Sequence, residues 1–233
     1  MQLLMRSFSS LVRYSFSLNI LFLILILLSG CTPLQPESSS NLSDDKKNSL
    51  LLQAEFPRIK DPYLNWYLRM LQERLLTAYY MASGEQLDIS LALLDTEELV
   101  ALSPTRGIIL ISKGMIRRVG TEGELAFIIA HEIAHSALGH ILTSESDRKN
   151  AEIEADHFGV SLMASAGYDP GLARISLLNT YGMTSFKDPR YPSMEERVRN
   201  IEEIIADSGW TPPGTIDRRE FRKFRDQLLA PKR

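Results

Sequence analysis

All four histidines of this 233-residue chain lie between positions 131 and 157, and three share one short segment, His131-Glu132-Ile133-Ala134-His135-Ser-Ala-Leu-Gly-His140. That segment falls in a stretch that reads as helix on independent grounds. Thr121-Glu-Gly-Glu124 has the spacing of a capping box, and the apolar run behind it predicts a helix over 122–142. Residues four apart on a helix advance by about 400°, so His131 and His135 point the same way one turn apart. Two imidazoles in that register can ligate one zinc ion between them, and Glu132 can reach a water bound to it.

A catalytic zinc site takes three protein ligands and keeps one position open. The next predicted helix, 148–166, closed by Gly167, carries Glu152-Ile-Glu-Ala-Asp156. Glu152 and Asp156 are four apart and share a face. Glu152 can complete a set of two histidines and one glutamate, and Asp156 can accept a hydrogen bond from a ligating imidazole and fix its tautomer. Glu154 lies about 200° around from Glu152 and is the weaker candidate. Taken alone, this acidic cluster reads as a solvated helix face; beside the paired histidines it reads as part of a site. His140 comes one residue too early for a third histidine ligand and reads as a structural helix-end residue, where positive charge is favoured. His157 faces elsewhere and is given no role.

Arg6 and Arg13 precede the apolar stretch Phe16–Leu28, and residues 1–15 contain no acid. The stretch is shorter than the roughly 20 apolar residues of a membrane span, so residues 1–30 read as a secretory signal peptide. Leu28-Ser29-Gly30-Cys31 resembles the bacterial lipobox, which implies acylation of Cys31, the one cysteine of the chain. An uncleaved signal anchor with an incidental thiol is the competing reading. Thr32, rather than Asp, follows the cysteine; by resemblance to Gram-negative lipoproteins this implies a lipid anchor in the outer membrane, facing the periplasm. Residues 31–49 then read as the acylated cysteine and a flexible tether rich in Ser, Pro and Asn. A single cysteine excludes an internal disulfide framework and a multi-cysteine zinc site. The formal charge is −3. Removing residues 1–30 takes away two arginines and no acid, so 24 basic residues face 29 acidic ones, a formal −5. That balance argues against a nucleic-acid partner.

Elsewhere, Asp61-Pro62 opens a helix with Leu64, Tyr67, Leu68, Leu71, Leu75 and Ala78 on one face. Alternation predicts a half-buried strand over 87–94, and 107–112 reads as a more continuously apolar strand between Pro104 and Gly114. Asp169-Pro170 starts a helix ending near Gly182, and Ser193-Met-Glu-Glu196 caps another bearing Val198, Ile201, Ile204 and Ile205. Phe221, Phe224, Leu228 and Leu229 can form one face of the C-terminal stretch. The expectation is a mostly helical α+β domain over 50–206, with a small sheet beside the histidine helix, and a charged tail over 207–233.

HEIAHSALGH followed by EIEAD resembles the zinc metallopeptidases with HExxH…ExxxD signatures. That family includes the Ste-type CAAX prenyl proteases, the mitochondrial Oma-type proteases and the BepA/LoiP-like periplasmic proteases. The similarity runs through TRGIILISKGMIRRVGTEGELAFIIAHEIAH, ASAGYDP and PSMEERV, roughly residues 60–205. The membrane spans of the Ste-type members are missing from this pattern, which makes the lipoprotein branch the nearer one. The resemblance implies a gluzincin-like fold and one zinc ion per chain held by His131, His135 and Glu152. It also implies Glu132 as general base, Asp156 as the partner of a ligand, and Arg197 near the site. Where related periplasmic proteases often carry His-Pro, this chain has Tyr191-Pro192; Tyr191 is either an oxyanion donor or gate, or a packed tyrosine at a helix start.

The expected activity is hydrolysis of internal peptide bonds in unfolded or misassembled envelope proteins. An extended substrate would pair with the strand Ile108, Ile109, Leu110, Ile111 as an edge. The competing expectation is a chaperone-like, client-binding lipoprotein with latent proteolysis, docking through the charged tail.

Overall fold

The computed structural model describes residues 57–140, 147–181, 191–210 and 219–231. The expected signal peptide, Cys31 and the expected tether lie outside the described residues. Helix α1 (Pro62–Ser83) begins with Asp61 accepting a hydrogen bond from the Leu64 N–H at 3.0 Å and Pro62 in the first turn. Its buried face is Leu64, Tyr67, Leu68, Leu71 and Leu75.

Three strands follow: β1 (Ser90–Leu94), β2 (Ala101–Thr105) and β3 (Ile108–Ser112), in the spatial order β1-β3-β2. β1 runs parallel to β3 and β2 antiparallel to it. β1 starts at Ser90, later than the alternation from Leu87 predicts. β2 is unforeseen, because it contains Pro104. A proline fits there because, among the described residues, β2 pairs on one side only, and its register with β3 is irregular between Leu102 and Thr105.

The expectation that Ile108, Ile109, Leu110 and Ile111 form an edge is overturned. β3 is the central strand, paired on both sides, so its backbone has no free side for a substrate. Its unbroken apolar run reflects burial on both faces: Ile109 and Ile111 enter the main core, while Leu110 packs with Ala92 and Leu94. The outer side of β1 meets residues 57–59, with the Ile59 N–H donating to the Leu93 carbonyl at 2.8 Å. Among the described residues the available edge is β2.

β3 leads into α2 (Lys113–Arg118), whose Met115 N–H donates to the Ser112 hydroxyl at 3.0 Å. Helix α3 (Glu122–Leu138) is capped by Thr121 and buried almost all round, as befits a central helix. It stops four residues earlier than expected because Gly139 takes a left-handed conformation, φ 76°. Helices α4 (Arg148–Ser165), α5 (Gly171–Thr180), α6 (Met194–Ser208) and α7 (Arg219–Leu229) complete the described chain. α3 and α4 pack closely at Gly159, where a Cβ would stand 3.1 Å from the His131 nitrogen and 3.3 Å from its Cα.

The expected boundary at 206/207 is also corrected. Phe221, Phe224 and Leu228 of α7 are buried in the same core as α1, and Phe224 stacks on Tyr67 with centroids 4.4 Å apart. The C-terminal stretch therefore closes the domain rather than trailing from it as a tail, and its apolar face is not free for docking. The architecture is a mostly helical α+β domain with a small three-stranded sheet.

Candidate metal centre

α3 presents His131 and His135 on one face, and α4, drawn close at Gly159, presents Glu152 opposite them. The two Nε2 atoms stand 3.1 Å apart. Glu152 places Oε2 3.5 Å from Nε2 of His131 and Oε1 3.5 Å from Nε2 of His135. Bonds of about 2.0–2.2 Å to a tetrahedral ion separate ligand atoms by roughly 3.3–3.5 Å, so this donor set fits one metal ion with little movement. No other such group occurs among the described residues.

Each imidazole has its own support. Nδ1 of His131 lies 3.1 Å from Oδ1 of the fully buried Asp156, although not in good hydrogen-bond alignment. Asp156 in turn accepts two hydrogen bonds from Arg197, from Nε and Nη2, both at 2.7 Å. Arg197 also brings Nη1 within 3.5 Å of Glu152. On the other side, Nδ1 of His135 lies 3.2 Å from Nδ1 of His140, and Nε2 of His140 lies 3.0 Å from Glu154.

The charges follow from these contacts. Burial alone would lower the His131 imidazole, but Asp156 and Glu152 overcome it and raise it to about 10. Burial, with the positive His131 beside it, lowers His135 to about 3. The metal-free centre thus pairs a cationic His131 with a neutral His135, and His131 Nε2–H donates to His135 Nε2. Burial would raise both acids, yet His131 and Arg197 together hold Glu152 and Asp156 below the ordinary carboxylate range. Burial dominates at Glu132 and pushes its carboxyl up to about 7. The Glu132 carbonyl accepts from the Ser103 hydroxyl at 2.9 Å, which ties the edge strand β2 to α3.

The segment 100–148, from β2 through the histidine helix, matches Peptidase family M48. This segment of the chain is similar to that metallopeptidase family. The M48 match takes in His131, Glu132, His135 and His140 and ends before Glu152. The chain is also 27% identical over 166 residues to the beta-barrel assembly-enhancing protease of Escherichia coli O157:H7, across 69% of this chain and 33% of that protein. Against the putative beta-barrel assembly-enhancing protease of Vibrio cholerae serotype O1 it is 29% identical over 128 residues, covering 54% of this chain and 26% of that one. The chain thus spans a third or less of the length of these relatives.

Of the residues singled out from sequence, His131, Glu132, His135, Glu152, Asp156 and Arg197 come together. Tyr191 does not join them in any described contact: its ring is 37% exposed and its hydroxyl accepts from Arg148 at 3.0 Å. The tyrosine at the centre is Tyr181, just past α5, with the Arg197 guanidinium 5.3 Å from its ring centroid. Burial raises its hydroxyl, followed by the nearby charge of Glu132. Nothing in the sequence marked Tyr181 apart from other aromatics. His157 is exposed and away from the cluster.

Proposed function

We propose that this domain is a zinc-dependent endopeptidase with one ion per chain, held by His131, His135 and Glu152. The observation that carries the reading is the convergence of these three side chains within 3.1–3.5 Å, with Glu132 one residue from the first of them. Zinc bound there would polarise a peptide carbonyl and make water acidic enough to be a nucleophile near neutral pH. The buried Glu132 would be the base that accepts a proton from the attacking water and passes it to the leaving amine. Asp156, clamped by Arg197, keeps Nδ1 of His131 occupied so that Nε2 faces the ion. Tyr181 supplies the oxyanion-stabilising hydroxyl, a role that the sequence leaves open for Tyr191 beside that of a packed tyrosine.

The free side of β2 is the surface on which an extended segment can add a strand, which favours unfolded or exposed stretches with loose sequence preference. The lipobox-like sequence at Cys31 supports a lipid anchor in the outer membrane, facing the periplasm, and the names of the relatives, proteases that enhance beta-barrel assembly, support unfolded or misassembled envelope proteins as substrates. Among the described residues no helix is long and apolar enough to cross a membrane. In this reading the peptidase domain extends through α7.

Casein digestion by the zinc-loaded protein, run beside Glu132→Gln, tests the activity. The wild type should cleave, and the variant should retain zinc while losing at least about 100-fold in rate. Cleavage by the variant at the wild-type rate would remove Glu132 as the base.

A further inference from the structure

We infer that His140 and Glu154 form a relay that fixes the tautomer of His135 and thereby sets how tightly this chain holds its metal; the inference rests on the metal reading above. The two links, 3.2 Å from His135 Nδ1 to His140 Nδ1 and 3.0 Å from His140 Nε2 to Glu154, are both hydrogen-bond lengths. An ionised carboxylate only accepts, so in neutral His140 the proton sits on Nε2 and is donated to Glu154. Nδ1 of His140 is then an acceptor. The hydrogen between the two Nδ1 atoms therefore belongs to His135. With Nδ1 protonated, His135 carries its lone pair on Nε2, the atom that faces His131 and Glu152. With His140 neutral, the two contact lengths lead to the tautomer that a metal ligand at Nε2 requires.

The relay has a structural cause. Gly139, in its left-handed conformation, ends α3 and turns the chain so that His140 folds back beside His135, their rings edge-on with centroids 5.2 Å apart. The His140 side chain is only 8% exposed, so the contact is shielded from competing water. α4 thus serves both histidines: Asp156 supports His131 directly, and Glu154, on another face of the same helix, reaches His135 through His140. His140 and Glu154 are positioning residues; neither belongs to the ligand set.

Two measurements on the full chain test this. In competition with a chromophoric chelator, His140→Phe should weaken zinc binding about 10- to 100-fold, the usual effect of losing a ligand's outer partner. His140→Gln, which can accept through its oxygen and donate through its nitrogen, should recover most of that loss. Long-range proton–nitrogen NMR of the zinc-loaded wild type should show His135 protonated on Nδ1 and His140 on Nε2, and needs no variant to fold. Zinc affinity unchanged in His140→Phe, or His140 protonated on Nδ1, overturns the relay and leaves the peptidase reading standing. Failure of the wild type to bind zinc overturns both.

Discussion

The two histidines of the centre are one helical turn apart and chemically alike, yet their surroundings differ sharply. His131 rests on a carboxylate with no exposure, itself gripped by a guanidinium 2.7 Å away at two points. His135 rests on another imidazole, backed by a Glu154 side chain that is 63% exposed. The first arrangement places full charges in a dry interior, where attraction is strong and the loss of any member leaves another charge stranded. The second uses two imidazoles and a carboxylate screened by water. The His131 side is therefore the rigid, energetically committed half, and the His135 side the adjustable one.

Removing the buried acid breaks the comparison most severely. Asp156→Ala strands Arg197 and should cost about 3–5 kcal/mol of stability in urea unfolding, with loss of zinc binding. If it costs no more than a surface substitution, the two halves are energetically alike. Gly159→Ala presses a methyl against the backbone of His131 and should destabilise by about 1–3 kcal/mol, because the tight contact lies on backbone atoms rather than on a flexible side chain. Unchanged unfolding would mean that the α3–α4 pair yields easily. Tyr181→Phe should lower kcat about tenfold with little change in KM, while Tyr191→Phe leaves both near wild type. The reverse ranking would restore Tyr191 to the site.

The smallest effect separates the halves by their protons. In the metal-free protein His131 is raised to about 10 and His135 lowered to about 3. Between pH 7 and 9 the proton displaced by zinc therefore comes from His131, and affinity should rise by up to about tenfold per pH unit. The sign is the same for stability without metal. The contribution of cationic His131 is complete below its ordinary pKa of about 6.5 and fades as pH climbs through about 10. Calorimetry at pH 8 in buffers of different ionisation enthalpy should count close to one proton released; a count near zero would make His131 neutral and the asymmetry illusory.

What could be read from the sequence was local. Thr121 and Ser193 cap their helices as their spacing dictates, and the four-residue steps 131/135 and 152/156 put the right groups on facing surfaces. What failed depended on pairing and packing. β2 hid behind Pro104, which only its place at an edge makes tolerable. The apolar run 108–111 announced burial but not which neighbours would pair with it. Phe221, Phe224, Leu228 and Leu229 are legible as one face, but their spacing does not tell that this face packs into the domain core. The spacing of His140 from His131 excludes it as a ligand but does not tell that Gly139 ends the helix and folds it back beside His135.

The stack of Phe224 on Tyr67 binds the last described helix to the first across more than half of the chain. A contact of such long sequence separation forms late, after the loop-closure entropy of everything between has been overcome. Synthesis from the amino end can thus assemble the histidine helix and its partner while Tyr67 still faces water. A copy clipped ahead of residue 219 would keep every group of the centre and lack the closure over α1, a peptidase exposing the kind of apolar surface that peptidases of unfolded chains attack.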